Sequence, residues 1–207
     1  MIEINATLSD GTNKKIPIAS HSTVVDLSKS SIVVLDLTEL DALENLEELI
    51  LNENQLMTID LTVLAFSPKI RSVLLNNNNL QILNLEPLRY CTLLENLDLS
   101  SNQLLRVDLS ALAECKNLVS LNLQNNRFMS LDVSPISKCV KLEELNLTEN
   151  PLKRLDITDL LSCASLGSLL VSDTIRLISR RRNDIELLNP PAINKLISED
   201  RIEFLLE

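Results

Sequence analysis

Four cysteines, Cys91, Cys115, Cys139 and Cys163, stand 24 residues apart, and thiolates serve as zinc ligands, redox centres and nucleophiles. Two more columns of polar residues keep the same interval. Asn54, Asn78, Asn102, Asn126 and Asn150 form one; Asp36, Asp60, Asn84, Asp108, Asp132 and Asp156 form the other, where carboxylates could gather calcium or a cationic partner. Little else is equipped for chemistry. His21 is the single histidine, and the two glycines, Gly11 and Gly167, belong to no phosphate-cradling loop. The chain is therefore read as a non-enzyme with no cofactor and no metal.

The interval itself decides what these columns can do. Elements stacked at the parallel-strand spacing of about 4.8 Å put the outer cysteines roughly 14 Å apart, whereas zinc holds every sulfur at about 2.3 Å. Equivalent side chains in a stack also point in parallel rather than toward one another, against disulfide geometry. The cysteines are expected to be reduced, buried fillers, with Leu43 and Ser67 taking the same slot in other units. The aspartates form a line, while calcium wants about six to eight oxygens around one point. Flanking Leu, Ile and Val turn this column outward, as a solvated edge or a set of local hydrogen bonds.

The elements that carry the columns are repeats. "LEELILNENQL" from Leu46, "IRSVLLNNNNL" from Ile70, "LENLDLSSNQL" from Leu94, "LVSLNLQNNRF" from Leu118 and "LEELNLTENPL" from Leu142 are in 24-residue register, with degenerate units from Ser22 and Leu166. The pattern L-x-x-L-x-L-x-x-N-x-L resembles the leucine-rich repeat family, nearer its short intracellular and bacterial classes. The resemblance implies an α/β fold: a right-handed solenoid with a concave parallel sheet and short convex helical turns. It also implies that the asparagine column is buried and structural. Thr38, Thr62, Ser110, Ser134 and Thr158 are expected to N-cap the convex turns, and Pro87 and Pro135 follow the cap where a missing N–H costs nothing.

Seven repeats over residues 22–189 need covered ends. Residues 1–21 read as a hairpin cap around Asp10-Gly11, and residues 190–207 as a helical cap with Asn189 as N-cap and Ile193, Leu196 and Ile197 as its apolar stripe. The tail "IEFLLE" is expected to continue that helix or begin another. Phe66 is expected to slip into the slot beside Ser67, leaving Tyr90 exposed. Arg180, Arg181 and Arg182 form a basic cluster in a loop, either solvated or holding an acidic group.

Composition narrows the partner. The chain is 207 residues, 45% hydrophobic and 2% aromatic, with a net charge of -10, which argues against nucleic acid and anionic membrane. Lacking a signal-peptide pattern at its start, it is expected to be cytoplasmic and a monomer, with the sequons at Asn5 and Asn146 unused.

The residues free to read a partner are the third, fifth, seventh and eighth of each repeat. Candidates are Glu48, Ile50, Asn52 and Glu53; Ser72, Leu74, Asn76 and Asn77; Asn96, Asp98 and Ser100; Asn122, Gln124 and Asn146. Over seven repeats these 28 positions hold seven acids and one base, so a protein or peptide with a basic or neutral contact surface fits best. Ile50 and Leu74 fall side by side within a polar rim, the arrangement of an interface anchor. A protein-protein interaction module is the leading expectation. A regulatory subunit that positions an enzyme such as a phosphatase, and a structural or self-associating solenoid, are the alternatives.

Overall fold

The computed structural model describes residues 1–180 and 190–205. The Asp10-Gly11 turn, with Gly11 at φ +86° and the Thr12 N–H donating to Asp10 Oδ1 at 2.8 Å, joins β1 (Ile2–Leu8) to β2 (Asn13–Ile18) in an antiparallel hairpin. Alternation along β1 buries Ile2, Ile4 and Ala6. Its other edge pairs with the first unit, which contributes β3 (Val24–Asp26) and β4 (Ile32–Asp36); β1 and β4 run antiparallel.

Each following unit supplies one three-residue strand at the same phase: β5 (Glu48–Ile50), β6 (Ser72–Leu74), β7 (Asn96–Asp98), β8 (Ser120–Asn122) and β9 (Glu144–Asn146). After β10 (Arg154–Asp156) comes β11 (Ser168–Leu170), and the seven-stranded parallel sheet has the order β11-β9-β8-β7-β6-β5-β3. Three residues suffice because the middle residue of each strand, together with the first and sixth leucines of the unit, points into the core and the next strand repeats the arrangement.

The crossovers return over single 3-10 turns, such as Thr62–Phe66, Glu86–Tyr90 and Ser110–Glu114. These are too short to persist alone and are held by buried Leu64, Leu88 and Leu112. Their caps differ from expectation. Thr38, Thr62, Ser110 and Ser134 are the first residues of their turns, and Thr158 sits in the N-cap position of Asp159–Ser162 without capping it through its side chain. The acceptor is the Asp or Asn two residues earlier: the Thr38, Thr62, Glu86, Ser110, Ser134 and Thr158 N–H groups donate to Asp36, Asp60, Asn84, Asp108, Asp132 and Asp156 Oδ1 at 2.8–3.0 Å. The outward Asp column is thus the set of turn caps.

The four cysteines are free and buried. Each thiol donates across the repeat boundary: Cys91 to the Leu64 carbonyl at 3.3 Å, Cys115 to Leu88 at 3.3 Å, Cys139 to Leu112 at 3.2 Å and Cys163 to Ile136 at 3.9 Å. Burial pushes the Cys91, Cys115 and Cys139 thiols up to about 12 and Cys163 to about 11. Ser67 takes this slot itself, and its buried hydroxyl has no partner. Phe66 does not enter; it stands exposed beside it, as Tyr90 does one repeat on.

The last unit departs from the period. β12 (Arg176–Ser179) pairs with β10, placing Arg176 opposite Arg154, an offset of 22 residues (176 − 154) rather than 24. Helix α1 (Pro191–Ser198) buries Ala192, Ile193 and Leu196 against the end of the core, with Pro190 in the N-cap position; Asn189 lies outside the described residues. The tail is a strand rather than helix. Asp200, at φ +56°, ends α1 in a Schellman motif: its N–H donates to the Ile197 carbonyl at 3.0 Å and the Arg201 N–H to that of Leu196 at 2.9 Å. The reversed chain then lays β13 (Ile202–Phe204) parallel on the open edge of β12.

Candidate functional site

The sheet face is organised by the asparagine column beneath its carboxyl edge. Asn78 Oδ1 accepts the Leu56 N–H at 3.0 Å, and its Nδ2 donates to the carbonyls of Leu51 at 3.0 Å and Leu75 at 3.1 Å. Asn54, Asn102, Asn126 and Asn150 make the same bonds, each to its own repeat and the one before. The sixth-position carbonyl of one repeat is thereby tied to the next, which fixes how strands leave the sheet.

Above this column, the eighth residue of six repeats adopts a left-handed backbone: Lys29, Glu53, Asn77, Ser101, Asn125 and Glu149 have φ between +51° and +58°. The strained position lifts their side chains from the sheet plane at its carboxyl rim. Only Asn77 and Asn125 carry a residue type enriched in that conformation, so Lys, Glu and Ser left no signature in the sequence.

The fifth column has a role that side-chain type alone could have revealed. Where it is Asp or Asn, the side chain accepts the N–H two residues on: Ser28 to Asp26 at 2.9 Å, Ser100 to Asp98 at 2.9 Å, Gln124 to Asn122 at 3.1 Å and Thr148 to Asn146 at 3.1 Å. Ile50 and Leu74 have no acceptor to offer. The Asn52 and Asn76 N–H groups therefore lack that partner, and the sheet carries two adjacent aliphatic side chains in its place.

Ile50 and Leu74 are direct neighbours in the β5–β6 register, flanked in the same row by Asp26 and Asp98. Both are half-buried and neither packs on the core. Glu48, Asn52, Ser72, Asn76, Asn96, Asp98, Asn122 and Gln124 also reach the surface of this face, and Glu53 and Asn77 stand at its rim. Ser100 and Asn146 are buried and offer a partner little surface, and Asn146 Nδ2 donates to Gln124 Oε1 at 3.2 Å.

Charge on the face is partly neutralised at its ends. Lys29 pairs with Glu53 at 3.3 Å, Arg201 with Asp173 at 2.8 Å, and Gln124 donates to Glu149 at 2.8 Å. Glu48, Asp98 and Glu144 keep the middle negative. Arg180 pairs instead with Asp156 at 3.2 Å on the other side; Arg181 and Arg182 lie outside the described residues. Among the described residues no three His, Cys, Asp or Glu side chains converge as a metal site, and no helix is long and apolar enough to cross a membrane.

Comparison with known proteins agrees with this architecture. The family model described as BspA type Leucine rich repeat region matches residues 29–134 and 87–182, with six copies. No curated protein matches the sequence. Among solved structures, the Arabidopsis receptor kinase HAESA, in complex with the peptide hormone IDA and the co-receptor SERK1, is 24% identical with a TM-score of 0.66, covering 86% of this chain and 29% of its own. The plant peptide hormone receptor RGFR1, in complex with RGF2, is 24% identical with a TM-score of 0.59, over 68% and 22%. A leucine-rich repeat protein of Leptospira interrogans is 22% identical with a TM-score of 0.51, over 72% and 42%. At these identities the likeness is one of fold, and the chain spans less than half the length of each. The unbroken strand register, the asparagine ties and the family match together establish that the chain belongs to the BspA-type leucine-rich repeat family.

Proposed function

We propose that the chain is a non-catalytic protein-protein interaction module, acting in the cytosol, that receives a basic or neutral segment of a protein or peptide across its sheet face. The observation that carries this reading is the Ile50–Leu74 pair: two aliphatic neighbours set between Asp26 and Asp98, where β3, β7, β8 and β9 use that column to cap their own turns and only the last strand, with Leu170, does not. An apolar centre within a polar, negative rim matches a segment with an aliphatic residue between basic ones. The fold neighbours solved with peptide hormones support the class of ligand by analogy of fold alone. Four free thiols fit a reducing compartment.

The test is affinity capture from the native cell with the full chain and the Ile50→Ser/Leu74→Ser variant side by side. A stoichiometric partner retained by the first and lost by the second supports the sheet face. Equal recovery by both removes it.

A further inference from the structure

The turns that leave the sheet share one hydrogen bond, and it is missing at two adjacent places. In β3, β7, β8 and β9 the fifth-column side chain lies on the sheet face, and its Oδ1 accepts the N–H two residues on at 2.9–3.1 Å. Those N–H groups therefore point at the face a partner would meet. In β5 and β6 the side chain is Ile50 or Leu74, and among the described residues neither the Asn52 nor the Asn76 N–H has a hydrogen-bond partner. Leu170 leaves the Ser172 N–H in the same state, but alone at the last strand of the sheet. Only β5 and β6 set two such donors side by side, about 4.8 Å apart, each next to an aliphatic side chain.

We propose that the partner caps these two turns in trans: it presents side-chain amides of asparagine or glutamine, whose carbonyl oxygens accept the Asn52 and Asn76 N–H groups while aliphatic neighbours cover Ile50 and Leu74. This rests on the sheet face being the interface and names what that interface selects. The chain itself shows that an amide suffices, since Asn122 and Asn146 accept the Gln124 and Thr148 N–H groups, each at 3.1 Å. Covering the aliphatic pair also excludes water. A partner without acceptors would thus bury two unsatisfied N–H groups, a cost comparable to losing two hydrogen bonds.

Charge and spacing choose the amide over other acceptors. A partner carboxylate would stand between Asp26 and Asp98, with Glu48 on the same strand as Ile50. Lys29, the one base at the 28 face positions, already pairs with Glu53 at 3.3 Å. Main-chain carbonyls of an extended segment laid across the strands recur on one side every two residues, about 6.6 Å, and miss the step of about 4.8 Å between the donors. A side-chain amide turns on its own bonds and offers its oxygen to either donor.

The test is selection from a displayed library of random peptides on the full chain, with counter-selection on Ile50→Ser/Leu74→Ser, followed by amide-proton NMR of the unmodified chain with the selected peptides made synthetically. Enriched peptides should carry Asn or Gln beside an aliphatic residue. Exchanging that Asn for Asp or Ala, or that Gln for Glu or Ala, should lose at least about tenfold in affinity. The Asn52 and Asn76 amide protons should move downfield with the amide-bearing peptide and not with the exchanged one, a readout that needs no variant of the chain. Peptides lost on the double variant that carry no Asn or Gln, that carry Asp or Glu in its place, or whose exchange leaves affinity and both protons unchanged would overturn the cap and leave the sheet face standing as the interface. Recovery only of peptides that bind both proteins alike would remove the sheet face, and the cap with it.

Discussion

Asn76 to Asn79 are four identical side chains with four different obligations. Asn78 is buried and satisfies three backbone groups in two repeats; Asn77 holds the left-handed rim position; Asn76 faces the groove; Asn79 is half-buried and accepts the Gln103 amide at 3.1 Å. Asn78→Ala strands the Leu51 and Leu75 carbonyls and the Leu56 N–H and should cost about 3 kcal/mol, against under about 1 kcal/mol for Asn79→Ala; paired urea melts check the difference. Ser67 poses the converse case, a buried hydroxyl without a partner in a column of thiols that have one. Ser67→Cys should therefore raise stability by about 1 kcal/mol, read as a higher denaturation midpoint with an unchanged slope.

At the scale of elements, the 24-residue interval made the strands legible because a solenoid forces every unit to place its leucines alike. The hairpin was legible from its Asp-Gly turn and alternation. The capping arrangement was misread because Thr and Ser in the D-L-T and D-V-S stretches are themselves good cap residues, and only the backbone shows that the Asp two positions earlier accepts the bond. β13 was hidden because the three residues Ile202, Glu203 and Phe204 after a helix carry no period long enough to separate strand from helix. The caps have a consequence for acid stability. The Thr38, Thr62 and Ser110 hydroxyls, with the backbone N–H groups of the same residues, hold Asp36, Asp60 and Asp108 below the ordinary 3.8. Groups depressed in the folded state stabilise it above the unfolded value, and that contribution is lost as pH falls through the folded one. Asn84 shows that an amide can cap the same turn. Asp36→Asn/Asp60→Asn/Asp108→Asn should therefore melt near the unmodified chain at neutral pH and lose less between about pH 4 and pH 2, as thermal scans across that range would show.

The whole molecule presents a negative sheet face with an aliphatic centre and, on the flank of the same stack, the exposed side chains of Val34, Met57, Ile82, Leu105 and Met129. The first could be laid out from sequence because strand alternation assigns each residue a side. The flank could not, because residues between the asparagine and the convex turn have no regular period, and Met57, Ile82 and Leu105 look like core until the turn's path is known. The central claim concerns the sheet face, and its Asn52 and Asn76 N–H groups, lacking the side-chain acceptor found in neighbouring strands, are natural reporters. Amide hydrogen exchange, read with and without the captured partner, should show fast exchange at both in the free chain and slowed exchange in the complex. Protection elsewhere with unchanged exchange at Asn52 and Asn76 would contradict the account.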